Sequence, residues 1–138
     1  MNVQDELYYY TTYQSKLKQH TLELERLLRE YQGVKGMAYD SVGGGGTNAI
    51  NRAVENEVMI REVQINRLKA MIEEVQYRIN IVDAALETLS DLEQRLVKCR
   101  YFKRFDLYQV SEILGYSYSG VRKLNTKTID KLTHVLGR

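Results

Sequence analysis

Proline and tryptophan are absent from the 138 residues, and cysteine occurs once. Without proline, no ring removes a backbone donor or clashes with a preceding carbonyl, so nothing in the chain forces a helix to stop or kink. Cys99 alone closes no internal disulfide, and with two scattered histidines, His20 and His134, it makes no metal-ligand spacing; neither a metal nor a cofactor is expected. No apolar run approaches the roughly 18 residues that a membrane-spanning helix needs. The opening Met1 to Glu6 lacks the basic-then-apolar order of a signal peptide, so the expected location is the cytoplasm, with no membrane partner. Paired carboxylates and Cys-His or Ser-His-Asp sets are missing too; no catalytic residue is assigned and an enzyme is not expected. The run Gly43 to Gly46 continues as Thr47-Asn48, without the Gly-Lys-Ser/Thr ending with which a P-loop neutralises phosphate.

What the chain does have is charge, unequally divided. From Met1 to Glu93 ten Lys and Arg stand against fifteen Asp and Glu, and from Gln94 to Arg138 ten stand against three, so a net of −5 faces a net of +7. The C-terminal segment is therefore the part suited to a polyanion, although a basic segment is often only a solvated face.

Hydrophobic spacing makes the chain all-α. A first helix is expected from about Asp5 to Gln32, where Leu7, Tyr10, Gln14, Leu17, Thr21, Leu24, Leu28 and Tyr31 recur at alternating steps of three and four, and where Asp5 and Glu6 complement the helix dipole. Residues 33–48 hold Gly33, Gly36 and the four-glycine run, and read as a loop because helix costs most backbone entropy there. A second helix is expected from Thr47 or Asn48 to about Thr88. Its seam of Ile65, Leu68, Ile72, Val75, Ile79, Val82, Leu86 and Leu89 keeps three-four spacing without a miss and demands a coiled-coil-like partner. The first helix, folded back antiparallel, is the nearest partner. A two-helix hairpin buries little area per residue, so it needs packing against a second subunit or docking on the C-terminal module; the residues Ile65 to Leu86 of this seam are assigned to homo-oligomerisation, and whether they pair within or between chains stays open. Arg61 interrupts the seam, at a splayed end or opposite a carboxylate. Residues 1–88 thus form a helical hairpin domain and residues 89–138 a second module.

In that module Ser90 or Asp91 caps a third helix, Leu92 to Lys103, with Leu92, Leu96, Cys99 and Phe102 on one side. Asp106 caps a fourth, Leu107 to Leu114, which ends at Gly115, and Ser117 or Ser119 caps a last helix ending near Gly137. A short helix, a glycine turn and a helix opening Ser-Tyr-Ser is the layout of a helix-turn-helix, whose second helix enters the major groove of double-stranded DNA. On that geometry Ser117, Tyr118, Ser119, Arg122 and Lys123 face DNA while Val121 and Leu124 face the core. Arg122 suits a bidentate contact to guanine, and Lys123 and Lys127 suit phosphates. Lys98, Arg100, Lys103 and Arg104 are candidate backbone clamps. The plainer alternative is a three-helix bundle with a solvated basic face. The tyrosines Tyr8, Tyr9, Tyr10 and Tyr13 read as packing surface rather than as a partner site.

The stretch Leu89 to Leu136, with Leu92-Glu93-Gln94-Arg95, Arg100-Tyr101-Phe102, Val110-Ser111-Glu112-Ile113-Leu114-Gly115-Tyr116-Ser117 and Val121-Arg122-Lys123-Leu124, resembles region 4 of sigma-70-type factors, the module that reads the −35 promoter element. The whole chain, including Gly36-Met37-Ala38 and the glycine run ahead of a long helix, looks like phage late-gene regulators of the ArpU and RinA type. Gly120 departs from the larger polar residue usual inside the recognition helix. The resemblance implies a sequence-specific transcription activator of bacteriophage late genes, acting at promoters in the bacterial host cell with RNA polymerase as a candidate partner. A phage DNA-packaging recognition subunit of the small-terminase kind is the alternative, since it also joins a helix-turn-helix to helical oligomerisation segments. A coiled-coil adaptor with a basic tail is the third reading.

Overall fold

The computed structural model describes residues 2–42 and 48–137, and among these every regular element is helical. In chain order they are α1 (Val3–Val42), α2 (Asn48–Leu86), α3 (Asp91–Val97), a π-helical turn (Lys98–Phe102), α4 (Leu107–Leu114) and α5 (Tyr118–Leu136). None of these helices is long and apolar enough to cross a membrane. Two compact units divide the chain, one of Met1–Ser15 with Gln76–Arg138 and one of Lys16–Val75. A boundary at 88/89 would fall inside the first of them.

In the unit 16–75, α1 and α2 segments run antiparallel about a small core of Leu27, Ile65 and Leu68, with Leu24, Tyr31 and Ile72 against it. The Tyr31 hydroxyl donates to Glu62 Oε1 at 2.7 Å and Arg61 Nη1 donates to Glu30 Oε2 at 2.6 Å. Arg61 is thus opposite a carboxylate, as one of its two expected readings had it, although its buried Nε is left without a partner. Arg26 holds the same Glu30 from the other side, at 2.5 Å, and also pairs with Glu23.

The expected end of the first helix at Gln32 needs correcting. α1 continues through Gly33 and Gly36 to Val42, so the first ten residues of the expected loop 33–48 are helical. Two glycines cost a helix about 1 kcal/mol each relative to alanine, which packing overrides here. Val34 is buried, and Lys35 Nζ sits 5.0 Å from the centroid of the Tyr31 ring, one turn back. The four-glycine run lies outside the described residues.

The other unit has two cores. Val3 and Leu7 of α1 pack with Val82, Ala85 and Leu86 of α2, with Leu89, and with Val97, Tyr101 and Leu132. Of the N-terminal tyrosines Tyr8 and Tyr10 pack against this core, whereas Tyr9, expected as packing surface, is exposed. Tyr10 stacks on Phe102 at 4.4 Å, Tyr8 meets Tyr101 edge-on at 5.1 Å, and Tyr13 is buried. The Tyr10 hydroxyl donates to Asp83 Oδ1 at 2.5 Å, and burial, together with the Asp83 carboxylate, pushes its pKa up to about 12. The seam residues Ile65, Leu68, Val75, Ile79, Val82 and Leu86 are all buried within a single chain, and Ile72 is half-buried.

The second core joins Leu96 and Cys99 to Val110 of α4 and Val121 of α5, with Phe105, Leu107, Leu114 and Leu124 around them. The expected third helix, Leu92 to Lys103, is corrected here: α3 ends at Val97 and widens into the π turn, closed by Lys103 N–H to the Lys98 carbonyl at 2.9 Å. A π turn adds a residue to the helical repeat and rotates the following side chains. Tyr101, absent from the expected stripe, follows Glu93 and Val97 at steps of four on a second buried face and is the largest fully buried side chain, and its hydroxyl donates to Asn125 Oδ1 of α5 at 2.8 Å.

Glu93 fastens α3 to α5. Its carboxylate accepts from the Ser90 N–H at 3.1 Å, completing a capping box with the Ser90 hydroxyl, and from Lys131 Nζ at 3.0 Å. Glu93 is 4% exposed. That burial disfavours the charge, but the hydrogen bonds from Lys131 and Ser90 outweigh it and hold the carboxyl below its ordinary range. A lowered carboxylate pKa contributes stability above the unfolded value that is lost as pH falls through the folded one. Glu93→Gln keeps a capping oxygen and removes the charge. Chemical denaturation of Glu93→Gln should therefore show a deficit at neutral pH that shrinks as pH is taken below the ordinary carboxylate range; a deficit independent of pH would contradict the assignment.

Candidate nucleic-acid interface

α4 and α5 are each started by a side chain read correctly from the sequence. Asp106 accepts from the Gln109 N–H at 2.9 Å while Gln109 Oε1 accepts from the Asp106 N–H at 2.9 Å, a reciprocal box that satisfies two donors at the helix start. Between the helices stand Gly115, Tyr116 and Ser117. Gly115 has φ 74° and ψ 26°, the left-handed conformation that closes α4, and its N–H returns to the Ser111 carbonyl at 2.9 Å. Ser117 is extended, and its hydroxyl accepts from the Gly120 N–H at 3.1 Å. Gly120 therefore occupies a capped first turn rather than a frayed one.

The two helices are locked by Val110 and Val121, both without exposed surface. With Val121 inward, helical spacing turns Ser119, Arg122 and Lys123 outward, and all three are exposed. Thr126, Lys127, Asp130 and Lys131 continue the same shallow, open depression along α5. Of the residues expected at the mouth of this helix, Ser117 spends its hydroxyl on the cap. Tyr118 is half-buried and stacks on Tyr108 of α4, with ring centroids 4.1 Å apart and planes 15° from parallel. The guanidinium of Arg122, one turn on, lies 5.9 Å from the centre of the Tyr118 ring. Sequence reasoning missed Tyr108. Its place beside Tyr118 follows from the tight turn that brings the two helix starts together, and no spacing along the chain announces it.

Of the four residues expected as a flanking clamp, the two arginines have other engagements. Arg100 Nη1 donates to the Phe105 carbonyl at 3.1 Å. Arg104 adopts φ 61°, donates to the Tyr8 carbonyl at 3.2 Å and lies 5.6 Å from the centre of the Tyr8 ring. Lys98 and Lys103 are exposed but border a different depression, with Asp83, Glu87, Tyr10 and Phe102. Two of the four cations thus support the turn after the π segment, and two have carboxylates for neighbours. Lys131, on the α5 face, was not singled out from the sequence, and its ammonium is committed to Glu93.

The capped helix start offers the Arg122 guanidinium, the Lys123 ammonium and the Ser119 hydroxyl to solvent, all hydrogen-bond donors and two of them positively charged.

No curated protein and no solved structure matches this chain. The family model described as "Protein of unknown function (DUF722)" matches residues 5–134, nearly the whole length, and the chain belongs to that family.

Proposed function

We propose that the chain is a sequence-specific DNA-binding transcription regulator, with α4, the Gly115–Ser117 turn and α5 acting as its helix-turn-helix. One observation carries this reading. The capped, left-handed turn seats Val121 in the core and leaves Ser119, Arg122 and Lys123 on the exposed side of the helix start. A recognition helix works in that orientation, with its first turns among base edges and its flanks near phosphates. The basic balance of residues 94–138 supports it, since phosphate neutralisation supplies most sequence-independent affinity. The resemblance to sigma region 4 and to phage late-gene regulators favours an activator at late promoters, with RNA polymerase as a further partner.

In this reading α1 and α2 form a helical hairpin that carries the reader domain. Homo-oligomerisation belongs to the proposal as well; Ile65 and Leu68 are buried within one chain, and pairing of the same seam between chains would exchange one copy's α1 for another's.

The turn and the face give separate expectations. Gly115→Ala introduces a Cβ that meets no atom within 4 Å, so its cost is conformational alone. It should lower stability by about 1–2 kcal/mol in denaturant titration, and Gly115→Asn by less, because asparagine tolerates the left-handed region. In competition gel shifts with the full chain, Arg122→Ala should weaken a selected duplex by about 1–3 kcal/mol and relax preference at one base pair. Lys127→Ala should weaken selected and random duplex alike and reduce the slope of log affinity against log salt by about 1. A full-length protein with no preference for any duplex over random DNA overturns the reading.

A further inference from the structure

Tyr108 is 65% exposed even though Tyr118 covers one face of its ring. The rest of that ring is therefore open to solvent; of the module's other aromatics Tyr101, Phe102, Phe105 and Tyr118 are buried or half-buried, and Tyr116 in the turn is exposed but has no ring stacked on it among the described residues. An exposed aromatic is ordinary when it stands alone. This one is fixed in a three-part column, Tyr108 on Tyr118 with the Arg122 guanidinium by the latter ring, so it costs little further side-chain entropy to use. The column also stands where α4 and α5 both begin, beside the cations assigned above to DNA.

The chemistry of a partner follows by elimination. Phosphates are charged, the C–H faces of deoxyribose are the same at every nucleotide and select none, and the edges that base pairs present in the major groove are donors and acceptors with one exception. The C5-methyl group of thymine is the apolar group found there. An aromatic surface adjacent to a guanine-reading arginine is thus matched to a pyrimidine methyl next to that guanine. We infer that the Tyr108–Tyr118 pair is a thymine-methyl contact, so the recognised sequence carries a thymine adjacent to the guanine read by Arg122. This rests on the DNA-binding reading above and adds the base class that the aromatic pair selects. Neither hydroxyl is needed for the contact. The rings supply apolar area, and the stack keeps Tyr118 from turning away.

The test removes the methyl and nothing else. A duplex selected from random sequence by the full chain is remade with each thymine replaced singly by deoxyuridine, which keeps every hydrogen bond of the base pair. At one position beside the Arg122-dependent base pair, affinity should fall about three- to fivefold, the worth of one buried methyl group. Tyr108→Ala should bind the thymine and deoxyuridine duplexes equally, whereas Tyr108→Phe should keep the difference. Tyr108 is exposed, so this variant tests the contact without emptying a core site. A selected duplex with no thymine at that place, or a deoxyuridine penalty that persists in Tyr108→Ala, overturns the inference and leaves the DNA-binding reading standing. Failure to select any sequence overturns the reading itself.

Discussion

A carboxylate taken out of water must find donors or give up its charge, and Glu93 meets that constraint with donors from two directions. The Ser90 backbone N–H ties it to the start of α3, and the Lys131 ammonium ties it to the middle of α5. Thr128 lies against the same carboxylate, its Oγ1 3.4 Å from Glu93 Oε2, while its proton goes to the nearer Leu124 carbonyl at 2.7 Å. Because Glu93 cannot be satisfied unless α5 lies across α3, one buried group sets where the last helix sits. Tyr101, about two helical turns further on, repeats the device through Asn125.

Everything at the candidate interface depends on that placement. With α5 held by Glu93 and Tyr101 along its length and by Val121 at its start, the Gly115 turn has a single way to deliver Ser117 to the cap. The cap in turn decides which residues of the first turns face outward. Arg122, Lys123 and Ser119 are exposed because the opposite side of the helix is fully committed. A surface prepared in this way pays little ordering entropy on binding. Its aromatic column adds an apolar element to a face that is otherwise charge and hydroxyl.

The long helices obey a different balance. Between residues 16 and 75 the core is small, and polar groups take part in holding the two segments in register. Arg61, a misfit in an apolar seam, is tolerated because Glu30 faces it, and Glu30 is shared with Arg26. In the other unit Glu6, which the sequence suggests only as a dipole-compensating first-turn residue, is buried and lies 3.7 Å from Arg78. Polar pairs of this kind define register more than they add stability, since each has to offset the loss of water from both partners.

Much of the architecture was legible in the chain alone, because it depends on local physics. Ser90, Asp106, Gly115, Ser117 and Gly137 mark helix ends through hydrogen bonds and dihedral angles within a few residues, and the three-four seam of α2 marks a buried face by periodicity. Other features were decided only in three dimensions. α1 passes Gly33 and Gly36 against their low helix propensity, with Val34 between them buried. Tyr101 lies on a second face of its helix, in line with Glu93 and Val97, and is buried there among residues of other helices, Leu132 of α5 included. Arg100 and Arg104 turn to backbone carbonyls that the fold brings near, one of them 96 residues away in the chain. Absence of proline, spacing and charge therefore determined helical elements with a basic C-terminal end, while tertiary contacts decided which of the described cations and aromatic rings are exposed and which are engaged within the fold.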